Sequence, residues 1–241
     1  MDGAPRAHPS RPLTRCRVMG RDRSVNRRHF MMTTFAATAW PLAAAGYLLP
    51  SHQLIAYTNR RLSKIRGVEA TLVGETRTAT GPVNIGERWA FRGKMEVEVK
   101  GPTGQQARWR AGGQEEGYTE LLPKPAVRAV LSHLFTEGDL GRLLLAIGAD
   151  ERRQRLALSG ERVAHVLGAE SRRDQTPQVW VEQDSFDVLR VIFSGPKGPL
   201  DLRLDAWAGP VTGGHFPHQI KVFEGGRWVR RVEADAVQYR R

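Results

Sequence analysis

The chain of 241 residues holds a single cysteine, Cys16, and that scarcity excludes a disulfide framework and any zinc or iron–sulfur site built on thiolates. It also lacks a Gly-x-Ser-x-Gly elbow. The Gly-Gly pairs at Gly213-Gly214 and Gly225-Gly226 lie between strand-like segments and open no helix, so they make no phosphate loop. Aromatic residues are few, 7% of the chain. What the chain has in excess is positive charge, +12 at pH 7. Half of that excess sits in the first 45 residues, where Arg6, Arg11, Arg15, Arg17, Arg21, Arg23, Arg27 and Arg28 face only Asp2 and Asp22. The remainder is mixed in sign with no block of five like charges, which describes a solvated surface and gives no reason to expect a nucleic-acid partner.

From Phe30 to Leu49 no charged side chain appears, and the run follows directly on Asn26-Arg27-Arg28-His29-Phe30. A basic region, an apolar region and the small-residue exit Ala43-Ala44-Ala45 are the three parts of an export signal. Arg27, Arg28 and Phe30, placed before a run that Thr33, Thr34, Thr38 and several alanines keep only mildly apolar, predict twin-arginine export, with general secretion as the alternative. A cleaved signal or an uncleaved inner-membrane anchor both fit, since about twenty uncharged residues span a bilayer. Either outcome places the domain beyond in the periplasm. Cys16 follows Thr14-Arg15 and precedes the apolar run, which is the wrong order for a lipid attachment site. Met19 stands close before Arg27 and is a second candidate start.

The body predicts a helix from Ser51, as its cap, to about Ile65, with Leu54, Ile55, Thr58, Leu62 and Ile65 on one side and Gly67 stopping it. Strand signals follow at 68–77, 83–92, 94–100 and 107–111. Met95, Val97 and Val99 alternate with Lys94, Glu96, Glu98 and Lys100, the pattern of an antiparallel sheet wet on one face. Between Lys124 and Gly148 the period changes: Val127, Val130, Leu131, Leu134 and Phe135 make one helical stripe. Glu137-Gly138-Asp139 interrupts it, and Leu140, Leu143, Leu144 and Ile147 make a second. Strands resume at 155–158, 162–169, 178–183, 188–194, 200–207, 217–223 and 227–239, joined by turn residues. About eleven strands with one apolar face and three helices predict an α+β fold: a curved antiparallel sheet whose hollow is filled by helices.

This order of elements, over residues 50 to 241, resembles the LolA/LolB-like family of periplasmic lipoprotein carriers. The stretch Pro177-Gln178-Val179-Trp180-Val181-Glu182-Gln183-Asp184-Ser185-Phe186-Asp187-Val188-Leu189-Arg190 is similar to the family's hairpin of an aromatic-bearing strand, an acidic turn and a strand ending in Leu-Arg. The opening helix into Gly67-Val68-Glu69-Ala70 and the final strand from Trp228 to Tyr239 also match its layout. The resemblance implies a curved antiparallel sheet forming an open half β-barrel with helices in its mouth, an apolar cavity for acyl chains, outer membrane lipoprotein sorting as the setting, and a non-catalytic role.

A carrier of acyl chains needs no reactive group, only a dry pocket, in which each buried CH2 of ligand contributes about 0.8 kcal/mol. The candidate lining is Trp180, Leu202 and Leu204 on the concave face and Leu131, Leu134, Phe135 and Leu144 on the helices; plain core uses the same residue types. Expected partners are lipid or lipoprotein acyl chains and envelope proteins of either membrane, with the chain a monomer and no cofactor. The alternative is an envelope-stress sensor or protein-interaction domain with its concavity packed, and an uncharacterised hydrolase comes third. His215-x-x-His218 is the one metal-like spacing, but i and i+3 point to opposite faces of a strand and Pro217 prevents a helix, so no metal is expected. His52, His133 and His165 read as surface or core groups. The carboxylate pairs Glu115-Glu116 and Glu182/Asp184 lie at polar turns, where acids are common anyway.

Overall fold

The computed structural model describes residues 47–65, 67–172 and 176–239. The predicted export signal, with Arg27, Arg28 and Phe30, lies outside the described residues. Among those described, no helix is long and apolar enough to cross a membrane.

Twelve strands form one antiparallel sheet: β1 (Val68–Thr78), β2 (Gly81–Arg92), β3 (Lys94–Lys100), β4 (Gln106–Arg110), β5 (Glu115–Gly117), β6 (Gln154–Ser159), β7 (Arg162–Leu167), β8 (Gln178–Glu182), β9 (Val188–Gly195), β10 (Gly198–Asp205), β11 (Gln219–Glu224) and β12 (Arg227–Tyr239). Their spatial order, β5-β4-β3-β2-β1-β12-β11-β10-β9-β8-β7-β6, is two meanders joined where β1 pairs with β12. The sheet curves but does not close, so β5 and β6 are free edges. This is the expected open half-barrel, with one strand more than the sequence suggested. The extra strand is β5, whose Glu115 and Glu116 read as a turn yet pair with Trp109 and Arg108.

Three helices cover one face of this sheet: α1 (Ser51–Leu62), α2 (Pro125–Ser132) and α3 (Leu140–Ile147). Because α2 and α3 fall between β5 and β6 in the chain, they carry it across the mouth from one free edge to the other. Pro125 opens α2, where its missing N–H costs no hydrogen bond. A π-helical turn, His133–Glu137, ends it, and Gly138 follows in the left-handed region at φ 63°. Asp139 then caps α3, its side chain accepting from the Arg142 amide at 3.2 Å. The expected break at 137–139 is therefore a real joint. Ser51 is not the cap of α1; Pro50 holds that position, and Ser51 Oγ instead donates to the Glu151 carbonyl at 2.7 Å.

The core lies between helices and sheet. Leu54 and Leu62 of α1, Val127 and Leu131 of α2, Leu134 and Phe135 of the π turn, and Leu140, Leu143 and Leu144 of α3 are all buried. They meet an inner face of alternating residues, among them Leu72, Trp89, Phe91, Met95, Val97, Leu202 and Leu204. Phe135 is the hub, with its ring centroid 5.1 Å from Phe91, 5.2 Å from Phe216 and 6.3 Å from Trp207.

Candidate functional site: the lidded hollow

Strand parity decides which side chains share the hollow. Val179 pairs with Val191 and Val191 with Leu202, so these three face inward together with Leu204 two residues on. Leu131, Leu134, Phe135 and Leu144 descend on them from the helices, and all are buried. Six of the seven candidate lining residues thus meet in one apolar body.

Trp180 does not join them. It pairs with Arg190, and Arg190 with Arg203, which puts all three on the outer face. There Trp180 stands between the guanidinium carbons of Arg155 and Arg190, 5.2 and 5.1 Å from its ring centroid, while its indole N–H donates to Gln178 Oε1 at 2.9 Å. It lines an outer groove of about 570 Å³ with Arg162, Arg190, Arg203 and Asp205. The error has a physical source: Val179-Trp180-Val181 is apolar throughout, so no alternation marks which member faces in.

The hollow is filled rather than open. Phe91, Phe135, Phe216, Trp89 and Trp207 occupy its middle, and Trp207 satisfies its indole N–H on the Leu204 and Val188 carbonyls at 3.0 and 3.2 Å. Access to this apolar body requires the helices to move. Beside that apolar packing, polar contacts hold them: Asn59 of α1 accepts from the Leu140 amide at 2.7 Å, Lys124 pairs with Glu224 at 2.5 Å, and Arg128 pairs with Glu115.

At the end of the hollow crossed by residues 118–124 the sequence reading missed a buried charged cluster. Glu87 on β2 and Arg230 on β12 both point inward, 2.6 Å apart between Oε1 and Nη2. Glu87 also accepts from the Trp89 indole at 2.5 Å, and Arg230 donates to Thr76 Oγ1 at 3.1 Å and to the Leu121 carbonyl at 2.9 Å. Burial pushes the Glu87 carboxyl up against the pull of Arg230, and burial pushes the Arg230 guanidinium down. The Leu121 contact ties the sheet to the segment that leads into α2. The signal was present: Glu87 breaks the inward row Ile85, Trp89, Phe91, and Arg230 breaks the row Val232, Ala234.

His215 is held by a neighbouring cation. His215 Nδ1 lies 2.6 Å from Arg61 Nη1, which as a cation can only donate, so Nδ1 is the acceptor and the ring is neutral. Burial, then the Arg61 and Lys64 charges, holds His215 below its ordinary pKa. Arg61 itself pairs with Asp187 at 2.6 Å. No group of three or more histidine, cysteine or acidic side chains able to hold a metal exists among the described residues.

No family model matches the chain, and no curated protein matches it. Solved structures of the LolA superfamily are similar to it. One, from Nitrosomonas europaea, is 11% identical over 80% of this chain and 95% of that chain, with a TM-score of 0.49. A domain named for outer membrane lipoprotein sorting, from Vibrio parahaemolyticus, is 9% identical over 79% and 93%, with a TM-score of 0.39. The MucA/MucB complex of Pseudomonas aeruginosa is 14% identical over 77% of this chain and 56% of that chain, with a TM-score of 0.34.

Proposed function

We propose that this chain is an exported, non-catalytic binding protein of the periplasm that holds acyl chains of lipids or lipoproteins between its helices and its sheet. Residues 1–45 direct export in this reading, and residues 50–241 form the binding domain. One observation carries it: the helical segment from Pro125 to Ile147 spans the mouth from edge to edge, lies on an apolar floor through apolar side chains, and has a joint at Gly138. Helices seated in this way exchange one apolar contact for another when a chain slides beneath them, so opening costs little burial. Leu131, Leu134, Phe135 and Leu144 are the lid side of the site, and Leu202 and Leu204 the floor.

A second reading is favoured by the packing itself. With Phe91, Phe135, Phe216 and Trp207 fully engaged, the domain is already stable without ligand, as suits a sensor or interaction domain that recognises an envelope protein. Native mass spectrometry of protein isolated from its own compartment separates the two. Co-purifying lipid or lipopeptide supports the carrier; protein that is empty and captures no added acyl chain supports the interaction domain.

A further inference from the structure

Arg128 lies on the buried stripe of α2, three residues before Leu131 and seven before Phe135, where a helix of this kind carries apolar side chains. It is only 2% exposed. Its Nη2 reaches Glu115 on the edge strand β5, and its guanidinium carbon sits 4.5 Å from the Trp109 ring centroid on β4. Its Nε and Nη1 have no hydrogen-bond partner among the described residues. Buried donors on a charged group are costly to leave unmet, so the position asks for an acceptor.

Arg128 is close enough to Arg230 for its charge to press on that guanidinium. Two arginines are therefore buried at this end of the hollow; Glu87 is buried with Arg230, Glu115 remains more than a third exposed at the rim, and Glu224 pairs with Lys124. Between residues 120–127 and β12, a slot of about 60 Å³ is lined by Thr76, Arg77, Glu120, Lys124, Val127 and Arg230; Arg128 itself lies outside its lining.

We infer that Arg128, with Arg230 behind it, is the headgroup end of the site, and that the ligand is an anionic amphiphile whose carboxylate or phosphate meets Nε and Nη1 while its chain runs under Leu131 and Phe135. The inference rests on the acyl-binding reading and narrows it to ligands with an acidic head. Guanidinium suits both oxyanions because its planar fork offers two parallel donors.

Calorimetric titration of the purified protein with palmitate, methyl palmitate and inorganic phosphate tests it. Palmitate is expected to bind at least tenfold more tightly than its methyl ester, which keeps the chain and removes the charge. Arg128→Met is expected to erase that preference, with Arg128→Lys retaining part of it. The comparison of palmitate with its ester on the unaltered protein needs no variant and stands even if Arg128→Met fails to fold. Equal affinity for acid and ester overturns the headgroup site and leaves the acyl-binding reading standing. Phosphate binding that needs Arg128, with neither amphiphile bound, upholds the anion site and sinks the acyl reading. Binding of none of the three overturns both.

Discussion

Glu87 and Arg230 meet inside the hollow at 2.6 Å, each within 4% of complete burial, and together they fix the sheet to the Leu121 carbonyl at the base of the lid. A buried pair of this kind costs desolvation on both sides, so it is weak evidence of stability, but removing one partner strands the other. Glu87→Gln or Arg230→Met alone is expected to lower stability by about 3–5 kcal/mol. The double change Glu87→Leu with Arg230→Met is expected to restore most of the loss, and denaturant titration of the three variants checks this. Additive losses would show that the two side chains act independently.

His165 on β7 faces inward between Leu156 and Val181, is 1% exposed, and neither ring nitrogen has a hydrogen-bond partner among the described residues. Burial lowers its pKa from 6.5. The unfolded chain therefore takes up the proton first as pH falls: the stability held above pH 6.5 is lost as pH drops from there toward the folded value. His165→Leu is expected to match or exceed the parent in stability at pH 7 and to flatten thermal stability between pH 6.5 and 5. An unchanged slope would place the titrating group elsewhere.

Asp201 has the opposite geometry. Burial alone would raise its carboxyl, but hydrogen bonds from Arg190 at 2.7 Å and Arg203 at 2.9 Å outweigh it and hold the pKa below 3.8. Its contribution is complete above pH 3.8 and is lost as pH falls through the folded value. Asp201→Asn is expected to cost about 2 kcal/mol at pH 7 and to reduce the stability lost on acidification below pH 3.8. Acid unfolding curves of parent and variant decide it; parallel curves would contradict the assignment.

How much of this was legible before the structure depended on local pattern. Where one face is wet, as in Lys94–Lys100 and in Leu200 to Asp205, alternation gave strand and facing together. The two leucine stripes and the Gly138 joint were equally plain. Parity was unreadable at Val179-Trp180-Val181, which is covered on both faces, so Trp180 was assigned to the wrong side. β5 was missed because three polar residues carry no period. Arg128, Glu87 and Arg230 are single charged residues in apolar rows, and no local pattern shows that Glu87 and Arg230, far apart in the chain, meet as an ion pair.

The central claim is that the Pro125–Ile147 segment moves to admit an acyl chain. Asn59 Nδ2 and Asp139 Oδ1 lie 3.5 Å apart, joining α1 to the start of α3. The one native cysteine is Cys16, so Asn59→Cys with Asp139→Cys in a Cys16→Ser background introduces a unique pair that a short dithiol-reactive reagent can bridge. Palmitate binding, measured before and after bridging, tests the claim. The account predicts that the unbridged variant binds and that bridging abolishes binding at least tenfold while raising thermal stability. Bridged protein that binds palmitate as tightly as unbridged protein would contradict it.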